Sequence, residues 1–94
     1  MIIAEIGLNH MGSMEYLDLY LQHLLQSPVD AITLQIREKE FYKNTRFQNL
    51  ELPEQTYSGI SDRVRSKGKL FGMAISDLKY LSFLDDKVDF YKIL

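Results

Sequence analysis

Four short apolar segments alternate with three segments of helical periodicity, and this alternation constrains the fold more than any other feature of the chain. The apolar segments are residues 2–7, 31–37, 69–76 and 89–94. The helical segments are residues 13–26, 53–67 and 77–86. Strands that alternate with helices are typical of a parallel sheet with right-handed crossovers. We therefore predict an α/β fold with four parallel strands and three helices.

Capping and breaking residues support these boundaries. Ser13 suits a helix N-cap, and Pro28 stops the first helix because the residue before a proline avoids helical dihedral angles. Pro53 suits the first position of the second helix, and Gly68 suits its C-terminal end. Residues 38–52 are predicted to form a loop. At about 15 residues it is longer than usual, so it is either a binding loop or a surface loop anchored by aromatic side chains.

Composition narrows the function classes. The chain has 94 residues, enough for one small domain, and its net charge of −2 gives no reason to expect nucleic acid or an anionic membrane as a partner. It has no cysteine, so disulfides and thiolate metal sites are excluded. No apolar run approaches the ~20 residues that span a bilayer. The start lacks a signal-peptide pattern, so a cytoplasmic protein is expected.

The first strand and the turn after it contain the strongest candidate site. Glu5 lies within an apolar strand, where a carboxylate is costly to bury unless it is paired or functional. Gly7 breaks the strand, and Asn9 and His10 form a polar turn before the first helix. Ligands of α/β proteins bind at such junctions, outside the carboxyl ends of strands. The alternatives are a structural ion pair for Glu5 and a purely structural turn at Asn9 and His10.

Several motifs resemble the sialic acid (N-acetylneuraminate) synthase family. Residues 3–13 read Ile-Ala-Glu-Ile-Gly-Leu-Asn-His-Met-Gly-Ser, close to that family's Ile-Ala-Glu-Ile-Gly-x-Asn-His-Asn-Gly-Ser. Residues 30–35, Asp-Ala-Ile-Thr-Leu-Gln, lie where the family has Asp-Ala-Val-Lys-Phe-Gln, and Tyr91-Lys92-Ile93 resembles the family's fourth strand. The resemblance covers essentially the whole chain. It implies part of a (β/α)8 TIM barrel with strand order 1-2-3-4.

The resemblance also implies an activity and a set of site residues. The family joins phosphoenolpyruvate to an N-acyl sugar, such as N-acetylmannosamine, to make a nonulosonic acid. Glu5 is then expected among the catalytic or sugar-binding residues, and Asn9, His10 and Gln35 among the substrate-binding residues. Lys92 is expected in the phosphoenolpyruvate site. The family uses a divalent metal, Mn²⁺ or Mg²⁺, whose histidine ligands lie on later strands, so no metal ligand is expected in this chain.

Two departures separate the chain from that pattern. Thr33 stands where the family has a phosphoenolpyruvate-binding lysine, and Arg37, four residues further on, is a candidate replacement for the lost charge. A complete barrel typically needs about 250 residues, so four strands are half of one. The second half of the barrel and the family's C-terminal antifreeze-like domain are therefore expected to be absent. The chain alone is expected to be inactive.

Two other interpretations stay open. The chain is a non-catalytic half-barrel that binds a partner or forms a homodimer through its open strand edges, or it is a small open-sheet α/β binding protein. Self-association would be favoured by edge strands and an inner face that expose apolar groups such as Ile3, Phe90 and Leu94. A strand order other than 1-2-3-4 would favour the open-sheet protein.

Overall fold

The sheet has the predicted topology. A computed structural model describes residues Met1–Leu94, and its four parallel strands are β1 (Ile3–Gly7), β2 (Ala31–Ile36), β3 (Leu70–Ile75) and β4 (Phe90–Ile93). Their order across the sheet is β1-β2-β3-β4, so each strand pairs with the next in sequence and β1 and β4 form the two edges. The sequential order confirms the partial-barrel prediction and argues against an open-sheet protein with reordered strands.

Three helices connect consecutive strands, as predicted, and a fourth was missed. The helices are α1 (Met14–Leu25), α2 (Lys39–Tyr42), α3 (Glu54–Ser66) and α4 (Leu81–Leu84), with 3-10 turns at Gln48–Leu50 and Leu78–Tyr80. The segment predicted as a loop after β2 therefore contains α2 and a 3-10 turn. A single helical turn contains too few residues to show a clear 3.6-residue periodicity. None of the helices has the length and apolar character that a membrane crossing requires.

Local chemistry explains where the longer helices begin and end. The Ser13 hydroxyl accepts a hydrogen bond from the Tyr16 backbone N–H at 3.1 Å and caps α1. Pro53 is the N-cap of α3 instead of its first residue. Gly68 follows the end of α3 with a φ of +75°, a conformation that glycine adopts without strain.

The outer face of the sheet carries the core. Ile32, Leu34 and Ile36 of β2 are buried there, as are Phe71, Met73 and Ile75 of β3. They belong to one cluster of 15 buried residues that also takes in the apolar faces of α1 and α3. Burying this face is what holds the helices on one side of the sheet, since hydrophobic burial scales with the apolar area removed from water.

The inner face is lined in layers. One layer contains Glu5, Thr33, Gly72 and Phe90, and the next contains Gln35, Ala74 and Lys92. Gly72 packs against Phe90 so closely that a Cβ there would overlap the ring unless the ring moved. Thr33, Gly72 and Ala74 are small, so the longer side chains of β1 and β4 have room to extend over the middle of this face.

The sheet is strongly curved. Three strand spacings separate β1 from β4, about 14 Å in a flat sheet, yet Glu5 Oε2 and Lys92 Nζ lie 3.3 Å apart. Only a sheet curled toward its inner face brings long side chains of the two edge strands together. Four parallel strands curled in this way, with helices on the outer face, form part of a (β/α)8 barrel.

Candidate functional site

Glu5 and Lys92 face each other across the inner side of the half-barrel. Their ion pair joins the two edge strands at 3.3 Å, with 41% of the Glu5 side chain and 59% of the Lys92 side chain exposed. Lys92 lies one layer closer to the carboxyl ends of the strands than Glu5. The two charges are therefore accessible from the end of the barrel where ligands bind in this architecture.

Gln35 completes this group. A Cβ placed on Gly7 would lie 3.9 Å from Gln35 Oε1 and 4.0 Å from Glu5 Oε1, so both side chains flank Gly7. The left-handed conformation of Gly7, with a φ of +59°, ends β1 at this point. The structure thus brings together Glu5, Gln35 and Lys92, three of the six residues singled out in the sequence. An acid, an amide and an ammonium group converge there.

Thr33 occupies the centre of this group but contributes no charge. It is 4% exposed and pairs in register with Glu5 on the neighbouring strand. With Thr33 present, Lys92 from the far edge strand is the cation that pairs with Glu5.

The turn after β1 holds His10 in the interior. His10 is fully buried, and its Nδ1 accepts a hydrogen bond from the Gly12 backbone N–H at 2.9 Å. Burial lowers the pKa of His10, so the ring is neutral and carries its proton on Nε2, which has no partner. Asn9 is exposed. The position of His10 matches the structural interpretation of this turn, and substrate binding by Asn9 and His10 stays a prediction.

Backbone strain and close packing also mark this turn. Met11 has a φ of +57°, and it is the only residue other than glycine with a positive φ. Gly12, with a φ of +76°, packs so closely against the Asn49 carbonyl group that a Cβ would overlap it. The turn after β1 therefore packs against the segment after β2, so these two segments beside the candidate site contact each other.

Arg37 directly follows β2 and is held by aromatic residues. Its backbone N–H donates to Tyr42 Oη at 2.9 Å, and its carbonyl oxygen accepts from Tyr80 Oη at 2.8 Å. Its guanidinium carbon lies 4.2 Å from the centre of the Phe41 ring. Burial raises the pKa of both tyrosines, so both hydroxyl groups stay protonated. Aromatic anchors were one of the two interpretations of residues 38–52, but no local pattern indicates that Tyr80, 43 residues away in sequence, contacts Arg37.

The described side chains do not form a metal site. Nowhere in the chain do three or more His, Cys, Asp or Glu side chains come together in a way that could hold a metal ion. His10 is buried with Nδ1 already engaged. His23 lies on α1, away from the carboxyl ends of the strands. The residues present therefore do not fit the divalent metal that the resemblance implies for the family.

The fold and the site together define a class: a curved, partial (β/α)8 barrel with an acid, an amide and an ammonium group at the carboxyl ends of its strands. Its fold matches the crystal structure of N-acetylneuraminic acid (sialic acid) synthetase from Leptospira borgpetersenii serovar Hardjo-bovis in complex with citrate. The TM-score is 0.82 with 26% sequence identity. This match confirms the resemblance to the sialic acid synthases.

The match covers 98% of this chain and 35% of the synthetase chain, so the protein spans about a third of that structure's length. No protein-family model matches the sequence. No curated protein matches it either.

Proposed function

We propose that this half-barrel supplies the phosphoenolpyruvate-binding and part of the sugar-binding half of a condensing site of the sialic acid synthase type. The observation that carries the proposal is the convergence of Glu5, Gln35 and Lys92 at the carboxyl ends of the strands. In this reaction C3 of phosphoenolpyruvate forms a carbon–carbon bond with the aldehyde carbon of an N-acyl sugar. Water then releases the phosphate, which gives a nonulosonic acid.

Each of the three residues has a role that suits its chemistry. The ammonium group of Lys92 binds an anionic group of phosphoenolpyruvate through charge-assisted hydrogen bonds. The carboxylate of Glu5 accepts hydrogen bonds from sugar hydroxyl groups or takes up a proton, and Gln35 both donates to and accepts from the sugar. The ion pair between Glu5 and Lys92 holds the two side chains close together in the absence of substrate.

The half-barrel on its own is proposed to bind ligand weakly and not to catalyse. Its inner face is open along β1 and β4, and water reaches both charges of the ion pair. Electrostatic stabilisation of a transition state depends on a site from which water is excluded. Catalysis therefore requires further strands that close the barrel, and those strands would also have to bring the metal ligands.

Phosphoenolpyruvate binding by the isolated chain tests the proposal. Titration of the isotope-labelled protein, followed by nuclear magnetic resonance, is expected to shift signals of Glu5, Gln35 and Lys92. Lys92→Gln is expected to abolish these shifts. Lys43→Gln is the matched control, because Lys43 also pairs with a carboxylate, that of Glu40, at 3.3 Å on the surface. No shifts in the wild-type protein, or equal shifts in Lys92→Gln, would contradict the proposal.

A second function, self-association through the strand edges, is favoured by exposed apolar side chains. Ile2 and Ile3 at the β1 edge are 59% and 49% exposed, and Ile93 and Leu94 at the β4 edge are 63% and 53% exposed. A two-fold axis along the barrel would pair β1 of one copy with β4 of the other and leave no open edge. An open groove of about 470 Å³ on α1, lined by Tyr16, Leu19, Tyr20, His23 and Leu24, adds to the apolar surface.

Light scattering at several protein concentrations separates the two functions. A dimer that Ile93→Lys disrupts would support pairing of the edges. Leu78→Lys is the matched control, since Leu78 is 64% exposed but lies in the crossover before β4. A folded monomer at all concentrations would eliminate self-association and leave the binding proposal untouched.

A further inference from the structure

Aromatic residues fix both the backbone and the side chain of Arg37, which directly follows β2. Tyr42 Oη accepts from its N–H, and Tyr80 Oη donates to its carbonyl oxygen. We call Tyr42 and Tyr80 the tyrosine clamp. The guanidinium group lies over the Phe41 ring, which in turn stacks on Phe47 with 4.6 Å between ring centres. Backbone and side chain are both fixed, so little entropy is lost when the guanidinium group binds a ligand.

The guanidinium group has unused binding capacity. It carries five N–H donors, and the one carboxylate that contacts it is that of Glu38, 3.0 Å from Nη2. Arg37 Nε is buried without a hydrogen-bond partner, so the donors within reach of a ligand are those of the two Nη atoms. The side chain is 31% exposed, so solvent or a ligand can reach part of it. A rigid, partly exposed arginine with free donors suits recognition of a carboxylate or phosphate.

Glu38 forms an ion pair with Arg37 within the chain. Its backbone N–H donates to Ser76 Oγ at 2.8 Å, which fixes it to the end of β3. Hydrogen bonds from the Ser76 hydroxyl and the Arg37 guanidinium lower the pKa of Glu38, so its carboxylate is charged at neutral pH. An incoming anion has to displace this carboxylate from Arg37.

Arg37 and Lys92 lie at the same end of the sheet. Gln35 is in register with Lys92 through Ala74, and Arg37 is two residues beyond Gln35. Two residues along a strand and two strand spacings across correspond to about 12 Å between the two Cα atoms in a flat sheet, and to less in this curved one. Two long cationic side chains at this separation match a small molecule with an anionic group at each end.

We propose that Arg37, positioned by the tyrosine clamp, binds one anionic group of a two-anion substrate whose other anionic group is bound by Lys92, and that Glu38 competes with this substrate. This inference rests on the proposed function, because it takes Lys92 as the first anion-binding residue. It assigns the charge missing at Thr33 to Arg37. Tyr42 and Tyr80 are positioning residues, since their hydroxyl groups form hydrogen bonds with the backbone of Arg37.

Isothermal titration of the full chain with phosphoenolpyruvate and with citrate, at low salt, tests the proposal. Arg37→Gln is expected to weaken binding of both about tenfold, the loss of one charge-assisted contact. Glu38→Gln is expected to strengthen binding several-fold because it removes the competitor. Arg46→Gln is the matched control: Arg46 lies beside the other ring of the stack, 6.0 Å from Phe47, and is expected to leave affinity unchanged.

The role of the tyrosine clamp is tested separately, with the variant Tyr80→Phe. Tyr80→Phe removes one hydroxyl group and is expected to weaken ligand binding and to speed hydrogen exchange at the Arg37 side chain, while circular dichroism stays the same. Equal affinity in Arg37→Gln and wild type, or weaker binding in Glu38→Gln, would overturn the proposal. If inorganic phosphate binds as tightly as phosphoenolpyruvate, with the same dependence on Arg37, the proposal that the substrate carries two anionic groups is overturned.

The variants also separate this inference from the proposed function. Loss of binding in Lys92→Gln with normal binding in Arg37→Gln would leave the proposed function standing and overturn the role of Arg37. Loss of binding in both variants would support both the proposed function and the role of Arg37. No binding of either ligand to the wild-type protein would overturn both.

Discussion

Lys92 Nζ lies 3.3 Å from Glu5 Oε2, although the two residues belong to the outermost strands of the sheet and are 87 positions apart in sequence. The contact crosses the inner face of the curved sheet and does not follow any hydrogen-bonded strand pair. It is the point at which the first and last elements of the fold meet through side chains. Both side chains are more than a third exposed, so its value for stability is limited by solvent screening.

The ion pair is predicted to contribute little to stability. Exposed pairs typically contribute about 0.2–1 kcal/mol. We expect a double-mutant cycle of Glu5→Gln and Lys92→Gln, measured by urea unfolding, to give a coupling energy in this range that falls with added salt. The Glu40–Lys43 pair, with the same 3.3 Å separation, provides the reference cycle. A coupling energy above about 2 kcal/mol would mean that the pair is a structural support instead of a site.

Gly72 and Gly59 are predicted to respond in opposite ways to alanine. At Gly72 the new methyl group would overlap the Phe90 ring, so we expect a loss of about 1–3 kcal/mol of unfolding free energy. At Gly59, in α3, no atom beyond the neighbouring backbone of the helix lies within 4 Å of the new methyl group, and we expect a gain of about 0.5–1 kcal/mol. Urea unfolding measures both. Adding Phe90→Ala to Gly72→Ala is expected to remove the clash; a Gly72→Ala protein as stable as wild type would show that Phe90 is free to move.

Met11 is predicted to lower the free energy of unfolding, and replacing it with glycine is predicted to raise that free energy. A residue with a side chain at a φ of +57° costs about 1–2 kcal/mol, and the side chain is 66% exposed, so little packing would be lost on replacing it. We expect Met11→Gly to raise the unfolding free energy by about 1 kcal/mol and Met11→Asn by somewhat less. Met11→Ala keeps the strain and serves as the control, with no gain expected. Equal midpoints for glycine and alanine would contradict this account.

His10 is predicted to make stability depend on pH. Burial lowers its pKa in the folded protein below the value of 6.5 expected in the unfolded chain. Between these two values the unfolded state binds more protons, so stability falls as the pH drops below about 6.5, by at most about 1.4 kcal/mol per pH unit, and levels off below the folded pKa. The variant His10→Asn keeps an acceptor for Gly12 and lacks this dependence.

Urea unfolding of both proteins between pH 7.5 and pH 5 isolates the histidine, because the carboxylates contribute equally to both. A steeper loss of stability in the wild type is expected. Parallel curves would show that His10 is protonated in the folded protein without cost.

The order of the elements could be predicted because it depends on local patterns. Apolar runs, the Ser13 cap and the prolines all act within a few residues, and each predicted strand and crossover helix is present. The missed features depend on distant contacts. No local sequence pattern predicts that the Tyr80 hydroxyl bonds to the backbone of Arg37, or that the Phe90 ring covers Gly72. Lys92 and Gln35 were predicted from the resemblance, and their convergence with Glu5 follows from the curvature of the sheet.

The order β1-β2-β3-β4 has a consequence for how the molecule assembles. Each strand needs only the strand that left the ribosome before it, so the sheet can grow in the direction of synthesis without waiting for a distant partner. No later strand has to be inserted between two earlier ones. The same property makes the architecture extendable: another strand–helix unit can be added beside β1 or β4, by gene fusion or by a separate chain, without rearranging a single existing pair.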